Sequence, residues 1–108
     1  MMRGDFVTIA VQGGLGQSRI ALVMQADQFG AHASVTVLPV TATLVAAPLL
    51  RITVQPSFDN GLQTPAQVMI DKAITMKRDK IGPVLGRIDA DVMVKIERSL
   101  AVFLGIVR

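Results

Sequence analysis

The sequence predicts a mainly β chain closed by one C-terminal α-helix, folded as a small antiparallel β-barrel. Three observations lead there. Short apolar, β-branched runs recur through the first two thirds of the 108 residues, and Gly, Pro or Asn separates them. No long helical period lies between those runs, so crossover helices and a parallel sheet are not expected. After Asp89 the apolar spacing changes to three and four residues, which is the period of a helix face. A chain of this length is one domain, 1–108.

Residues 6–11, FVTIAV, read as the first strand, with Phe6 and Thr8 on one face and Val7 and Ile9 on the other. Residues 12–18, QGGLGQS, hold three glycines. A Gly-x-Gly phosphate cradle needs a helix N-terminus straight after it, whereas a strand-like run follows, so this is a hairpin connection able to move over a site beside Arg19. Residues 19–25, RIALVMQ, form the second strand, opened by Arg19. Residues 26–33 are a polar loop turning at Gly30, in which His32 is a surface histidine.

Residues 34–40 form the third strand. Pro39 cannot donate to a ladder, so the strand ends or bulges there and leaves Thr41 and Thr43 at its terminus. Spacing alone assigns Thr41 as a β-branched filler or a hydroxyl bonded to nearby backbone. If the Arg19 end of one strand and the Thr41 end of the next meet in space, however, a guanidinium and a hydroxyl face one phosphate. Residues 49–54 are a fourth strand with Arg51 outward, and 55–65 form a turn-rich connection marked by Pro56, Asn60-Gly61 and Pro65. Residues 66–71 are a fifth strand ending in Asp71, 74–77 a short sixth, and 79–85 a turn at Gly82-Pro83. Asp89 is placed to cap the helix, whose apolar stripe is Val92, Met93, Ile96, Leu100, Phe103 and Leu104; Gly105 supplies the stop.

Composition narrows the function classes. Hydrophobic residues make up 51% of the chain, yet its aromatics are four Phe with no Trp or Tyr. Some of that apolar surface is expected between the subunits of a symmetric dimer, the alternative being a dense aliphatic core in a monomer. The net charge of +3 is compatible with an anionic partner. Lys72, Lys77, Arg78, Lys80 and Arg87 lie close together, a pattern that is more often a solvated face than a binding surface. Without cysteine and with one His, the chain offers neither a disulfide frame nor a thiolate or multi-histidine metal site, and no cofactor is expected. MMRGDFV is not a signal peptide, and the most apolar window, 35–50, is broken by Pro39 and Pro48 and is too short to span a membrane. The expected location is the cytoplasm. Arg3-Gly4-Asp5 suggests adhesion only by its letters; before a strand, Gly-Asp is ordinary turn chemistry.

Taken together and in order, Arg3-Gly4-Asp5, the glycine-rich loop, Arg19-Ile20-Ala21-Leu22-Val23, Val37-Leu38-Pro39-Val40-Thr41, Gln67-Val68-Met69-Ile70-Asp71, Leu85-Gly86-Arg87-Ile88 and Phe103-Leu104-Gly105-Ile106 resemble the MazF/PemK toxins of toxin–antitoxin pairs over nearly the whole chain. The resemblance implies a homodimeric, SH3-like barrel that cuts single-stranded RNA without a metal. In it Arg19 and Thr41 match the catalytic pair, and Asp71 matches an acidic position that some members place at the site. With that activity the expected RNA contacts are Gly14, Gln17, Ser18, Thr43, Lys72 and Lys77. A cognate antitoxin is implied as well, entering the same groove through an acidic C-terminal segment.

The chain departs from the pattern at three places. Ile20 stands where a Pro usually follows the Arg, Gln17 and Ser18 are neutral where some members carry an acid, and Met69 stands where some relatives have Arg. On the residues, Arg19 can hold two phosphoryl oxygens and Thr41 can donate to the same group. Asp71 and His32 are the candidate proton acceptors, with Arg19 itself a third. Two other classes remain open. One is a CcdB-like inhibitor of DNA gyrase with the same fold, which acts through a Trp near the C-terminus, where this chain has Gly105-Ile106-Val107-Arg108. The other is a barrel that only binds, for which four scattered Phe give little stacking surface.

Overall fold

A computed structural model of the chain describes residues 1–10 and 19–108. Among the described residues seven strands and one α-helix follow in the order β1 (Asp5–Ile9), β2 (Arg19–Val23), β3 (Ser34–Thr41), β4 (Arg51–Val54), β5 (Ala66–Met69), β6 (Ile74–Lys77), β7 (Ile81–Arg87) and α1 (Ala90–Phe103). They form one antiparallel sheet in the order β4-β5-β3-β2-β1-β7, with β6 also paired to β3. The expected mainly β architecture with a C-terminal helix is what the chain adopts.

The long strand β3 organises the rest. One of its edges pairs with β2, while the other is divided between two strands. Ser34 to Val37 face β6, and Val40 and Thr41 face β5. Between those two ladders the neighbouring chain leaves the sheet in a 3-10 turn, Ile70–Lys72. Pro39 lies at this gap, so β3 runs through to Thr41 and the interruption expected at the proline falls in its neighbour instead. The fifth strand accordingly stops at Met69, and Asp71 belongs to the turn.

Period-2 alternation buries both faces of the central strands. Phe6, Leu22, Leu38, Val68 and Ile70 pack on one side with Met93 and Ile96 of α1, and Val7, Ile9, Ala21, Val23, Val35 and Val37 pack on the other. Each such Val, Leu, Ile, Phe or Met side chain is worth about 1.5–3 kcal/mol relative to exposure, and the strands β1 to β3 hold most of the buried apolar side chains. The helix begins after Asp89, although the Asp89 carboxylate makes no capping bond. It ends as expected at Gly105, at φ +75°, where the amides of Gly105 and Ile106 donate back to the carbonyls of Val102 and Ala101. Of the apolar stripe, expected to pack on the sheet or on a partner, Phe103 and Leu104 are exposed in the single chain, because the core reaches only as far as Leu100.

Residues 79–85 are not a turn. Most of that stretch belongs to β7, an edge strand on β1 whose register shifts twice, with Pro83 lying within the second shift. An edge position tolerates a residue with no N–H. Gly82 is needed there because a Cβ would collide with the Thr8 hydroxyl. Among the described residues no ladder joins β7 to β4, the two ends of the strand path. A connection does: the 55–65 loop reaches across, and the Arg87 amide donates to the Asp59 carbonyl over 2.7 Å. Buried Asn60 stiffens that loop, its Oδ1 accepting from the amides of Ser57 and Leu62 and its Nδ2 donating to the Gln55 carbonyl. The Arg3-Gly4-Asp5 stretch is consumed internally, since Arg3 pairs with Glu97 of α1 at 3.1 Å and Asp5 with Arg87 at 2.9 Å.

Candidate functional site

The ladders set up the site. Arg19 is the first residue of β2 and sits opposite Ile9 of β1. The β2–β3 ladder runs from Val23 opposite Val37 to Ile20 opposite Val40. One further step along that register sets Arg19 across from Thr41, and Thr41 in turn is opposite Gln67 of β5. The two ends singled out in the sequence thus fall in one transverse row of the sheet.

Their surroundings differ. Arg19 is exposed and lines a groove of about 580 Å³ with Ile9, Pro39, Met69, Asp71, Lys72, Ala73 and Ile74. An apolar floor beneath two cations suits a chain of phosphates and bases, because the floor lowers the dielectric around whatever the cations hold. Thr41 lines a second recess, about 400 Å³, with Thr8, Ile20, Val40 and Leu62 among its walls. Its hydroxyl accepts from the Thr43 amide at 3.1 Å. This is the local backbone bond that spacing alone suggests for it, and it leaves the hydroxyl proton free to donate.

Asp71 is the most constrained member. One carboxylate oxygen accepts from Arg51 in an ion pair of 2.6 Å, and the other from Lys72 at 3.0 Å. Lys72 first and Arg51 second hold its pKa below the ordinary value of 3.8. A carboxylate stabilised in that way is a weak proton acceptor at neutral pH. His32, the other candidate acceptor, is exposed, stacks edge-on to Phe29 and is not among the groove walls.

The sign of that shift gives a prediction. Asp71 ionises more readily folded than unfolded, so its contribution to stability is present above pH 3.8 and fades as pH falls through the lower folded-state value. Asp71→Asn should therefore be less stable than the unaltered chain at neutral pH, and the difference should close as the pH falls below 3.8 and through the lower folded-state value. Thermal denaturation of both proteins along a pH series measures this.

Of the remaining expected contacts, Lys72 lines the groove, while Thr43 and Lys77 are exposed outside its walls. Gly14, Gln17 and Ser18 lie outside the described residues. The structure thus gathers Arg19, Asp71 and Lys72 in one groove, while Thr41, across from Arg19 in the ladder, lines a separate recess. The residue that sequence reasoning missed is Arg51. As an outward arginine on an edge strand it carried no signal, yet its side chain and that of Asp71 are each only 17% exposed. Among the described residues no three His, Asp or Glu side chains gather as a metal site.

Comparison with known proteins identifies the family. The family model for PemK-like, MazF-like toxins of type II toxin–antitoxin systems matches residues 2–104. The chain is 45% identical over 107 residues to a probable endoribonuclease MazF of Mycolicibacterium smegmatis, with 98% of each protein covered. An endoribonuclease from a mycobacterial species, solved in complex with its cognate antitoxin, has a TM-score of 0.82 at 26% identity, over 100% of this chain and 98% of that one. MazE–MazF from Deinococcus radiodurans gives 0.77 at 25%, over 97% and 95%. With a family match of this extent, the chain belongs to the PemK/MazF toxin family.

Proposed function

We propose that this chain is the toxin of a type II toxin–antitoxin pair and acts as a metal-independent, sequence-selective endoribonuclease on single-stranded RNA. The observation that carries the reading is an exposed guanidinium, Arg19, lining an apolar groove together with Lys72, on the strand position across from Thr41. RNA contains its own nucleophile: a 2′-hydroxyl attacks the adjacent phosphorus, forming the 2′-O–P bond as the P–O5′ bond breaks. With the 2′-hydroxyl proton passing by way of solvent to the leaving 5′-oxygen, a 2′,3′-cyclic phosphate and a 5′-hydroxyl remain. The protein must orient the attack and hold the charge that builds on the phosphoryl oxygens. Arg19 does so with two parallel N–H donors. Thr41 donates its free hydroxyl proton from the neighbouring strand. Asp71 serves this site as the anion that fixes Lys72, since its lowered pKa makes it a poor base.

The same reading covers the partners. An acidic C-terminal segment of an antitoxin would compete with RNA for Arg19 and Lys72. The exposed apolar residues Val102, Phe103, Leu104, Ile106 and Val107 at the end of α1 favour burial in a homodimer. Among the described residues no helix is long and apolar enough to cross a membrane, in keeping with a cytoplasmic enzyme acting on messenger RNA. The 55–65 loop on β7 supports an SH3-like, barrel-shaped curl, and the whole chain 1–108 is read as one toxin domain. A gyrase inhibitor of the same fold is disfavoured, because the chain has no Trp.

Incubating the protein with a mixed RNA pool in EDTA and sequencing the new ends tests this. The expected products carry 5′-hydroxyl ends clustered at one short motif. Intact RNA, or cleavage that EDTA stops, would refute the proposal.

A further inference from the structure

Building on the ribonuclease reading, we propose that Arg51 is a positioning residue that keeps the Arg19 groove cationic by holding Asp71 away from Arg19. Asp71 and Arg19 line the same groove, and a free carboxylate there would compete with a phosphate for the guanidinium. Arg51 approaches from β4, where its ladder partner is Met69, two residues before Asp71. Its Nη1 donates to the Leu50 carbonyl at 3.2 Å and to Asp71 Oδ1 at 2.6 Å. Both members of that pair are largely shielded from water, whereas the Lys72 side chain, on the other carboxylate oxygen, is 56% exposed. The pair with Arg51 is thus the firmer of the two, because exposed pairs contribute little and rearrange readily. Once Arg51 is removed, one oxygen of Asp71 loses its partner, and the other cations lining its groove, Lys72 and Arg19, are those that a phosphate needs.

The test measures binding and turnover separately. Binding is read with pyrophosphate and with an uncleavable 2′-deoxy oligonucleotide, and turnover with RNA. Arg51→Met should weaken both ligands and raise KM by about tenfold, the size expected for one unit charge acting at groove distance, with kcat little changed. The loss should shrink at high salt. Arg51→Lys should recover most of the affinity, and Arg51→Met combined with Asp71→Asn should bind more tightly than Arg51→Met alone, because the competing anion is gone, although Lys72 then also loses its partner. A purely structural Arg51 would lose stability in all three and gain nothing from the second substitution. Unchanged affinity in Arg51→Met, or a double variant as weak as the single one, overturns the inference. If the unaltered protein leaves RNA intact, the ribonuclease reading fails instead, and the pyrophosphate arm still decides what Arg51 does.

Discussion

Arg19→Ala is expected to slow RNA cleavage by about 10²–10³ or more while leaving the fold intact, because it removes the donor aimed at the charge developing on phosphorus. Arg19 is exposed at the start of β2 and contributes to neither apolar cluster, so its loss should not affect folding. The effect belongs in kcat as much as in KM, since the guanidinium binds the transition state more tightly than the substrate. Arg19→Lys restores the charge without the planar fork and should regain only part of the rate. Single-turnover rates with circular dichroism of each variant separate lost chemistry from lost structure. Near-normal rates in Arg19→Ala would remove the residue from the mechanism.

The second large effect concerns the frame that aims the site. Phe6→Ala should destabilise the chain by about 3–5 kcal/mol, the range found for emptying a fully buried aromatic position. Phe6 has no exposed surface and lies in the cluster that joins the sheet to Met93 and Ile96 of α1. Its ladder partner is Leu22, three residues along β2 from Arg19. For a domain of this size each kcal/mol moves the melting temperature by roughly 4–8 °C, so the variant should melt at least about 12 °C lower. Calorimetry measures it. A shift of only a few degrees would mean that the surrounding core collapses into the space the ring leaves.

Much of this architecture was legible in the residues, and the exceptions have physical causes. Local β-branched alternation identified six of the strands, and helical spacing with Gly105 identified the helix. The strand β7 escaped because Gly82-Pro83 carries the letters of a turn. Here the glycine admits the Thr8 hydroxyl and the proline occupies an irregular edge position. Pro39 misled in the opposite direction, because a strand can run through a proline where its neighbour has already left the sheet. At the site, Arg19 and Asp71 could be singled out from strand ends and from family resemblance. The ion pair of Arg51 with Asp71 could not, since it depends on the long-range β4–β5 register and on a 3-10 turn after Met69 where the sequence continues as a strand. The placing of Thr41 in its own recess likewise depends on how the loops close around the sheet.

The claim underlying all of this is that the Arg19 guanidinium grips the phosphate at the cleaved bond. Nitrogen-15 NMR of the arginine side chains during titration with a 2′-deoxy-substituted, uncleavable oligonucleotide observes that contact directly. The expected result is a shifted, exchange-protected Arg19 Nε–H resonance that saturates with the binding curve and is displaced by an acidic peptide. Saturating RNA that leaves the Arg19 resonance where it began would contradict the account.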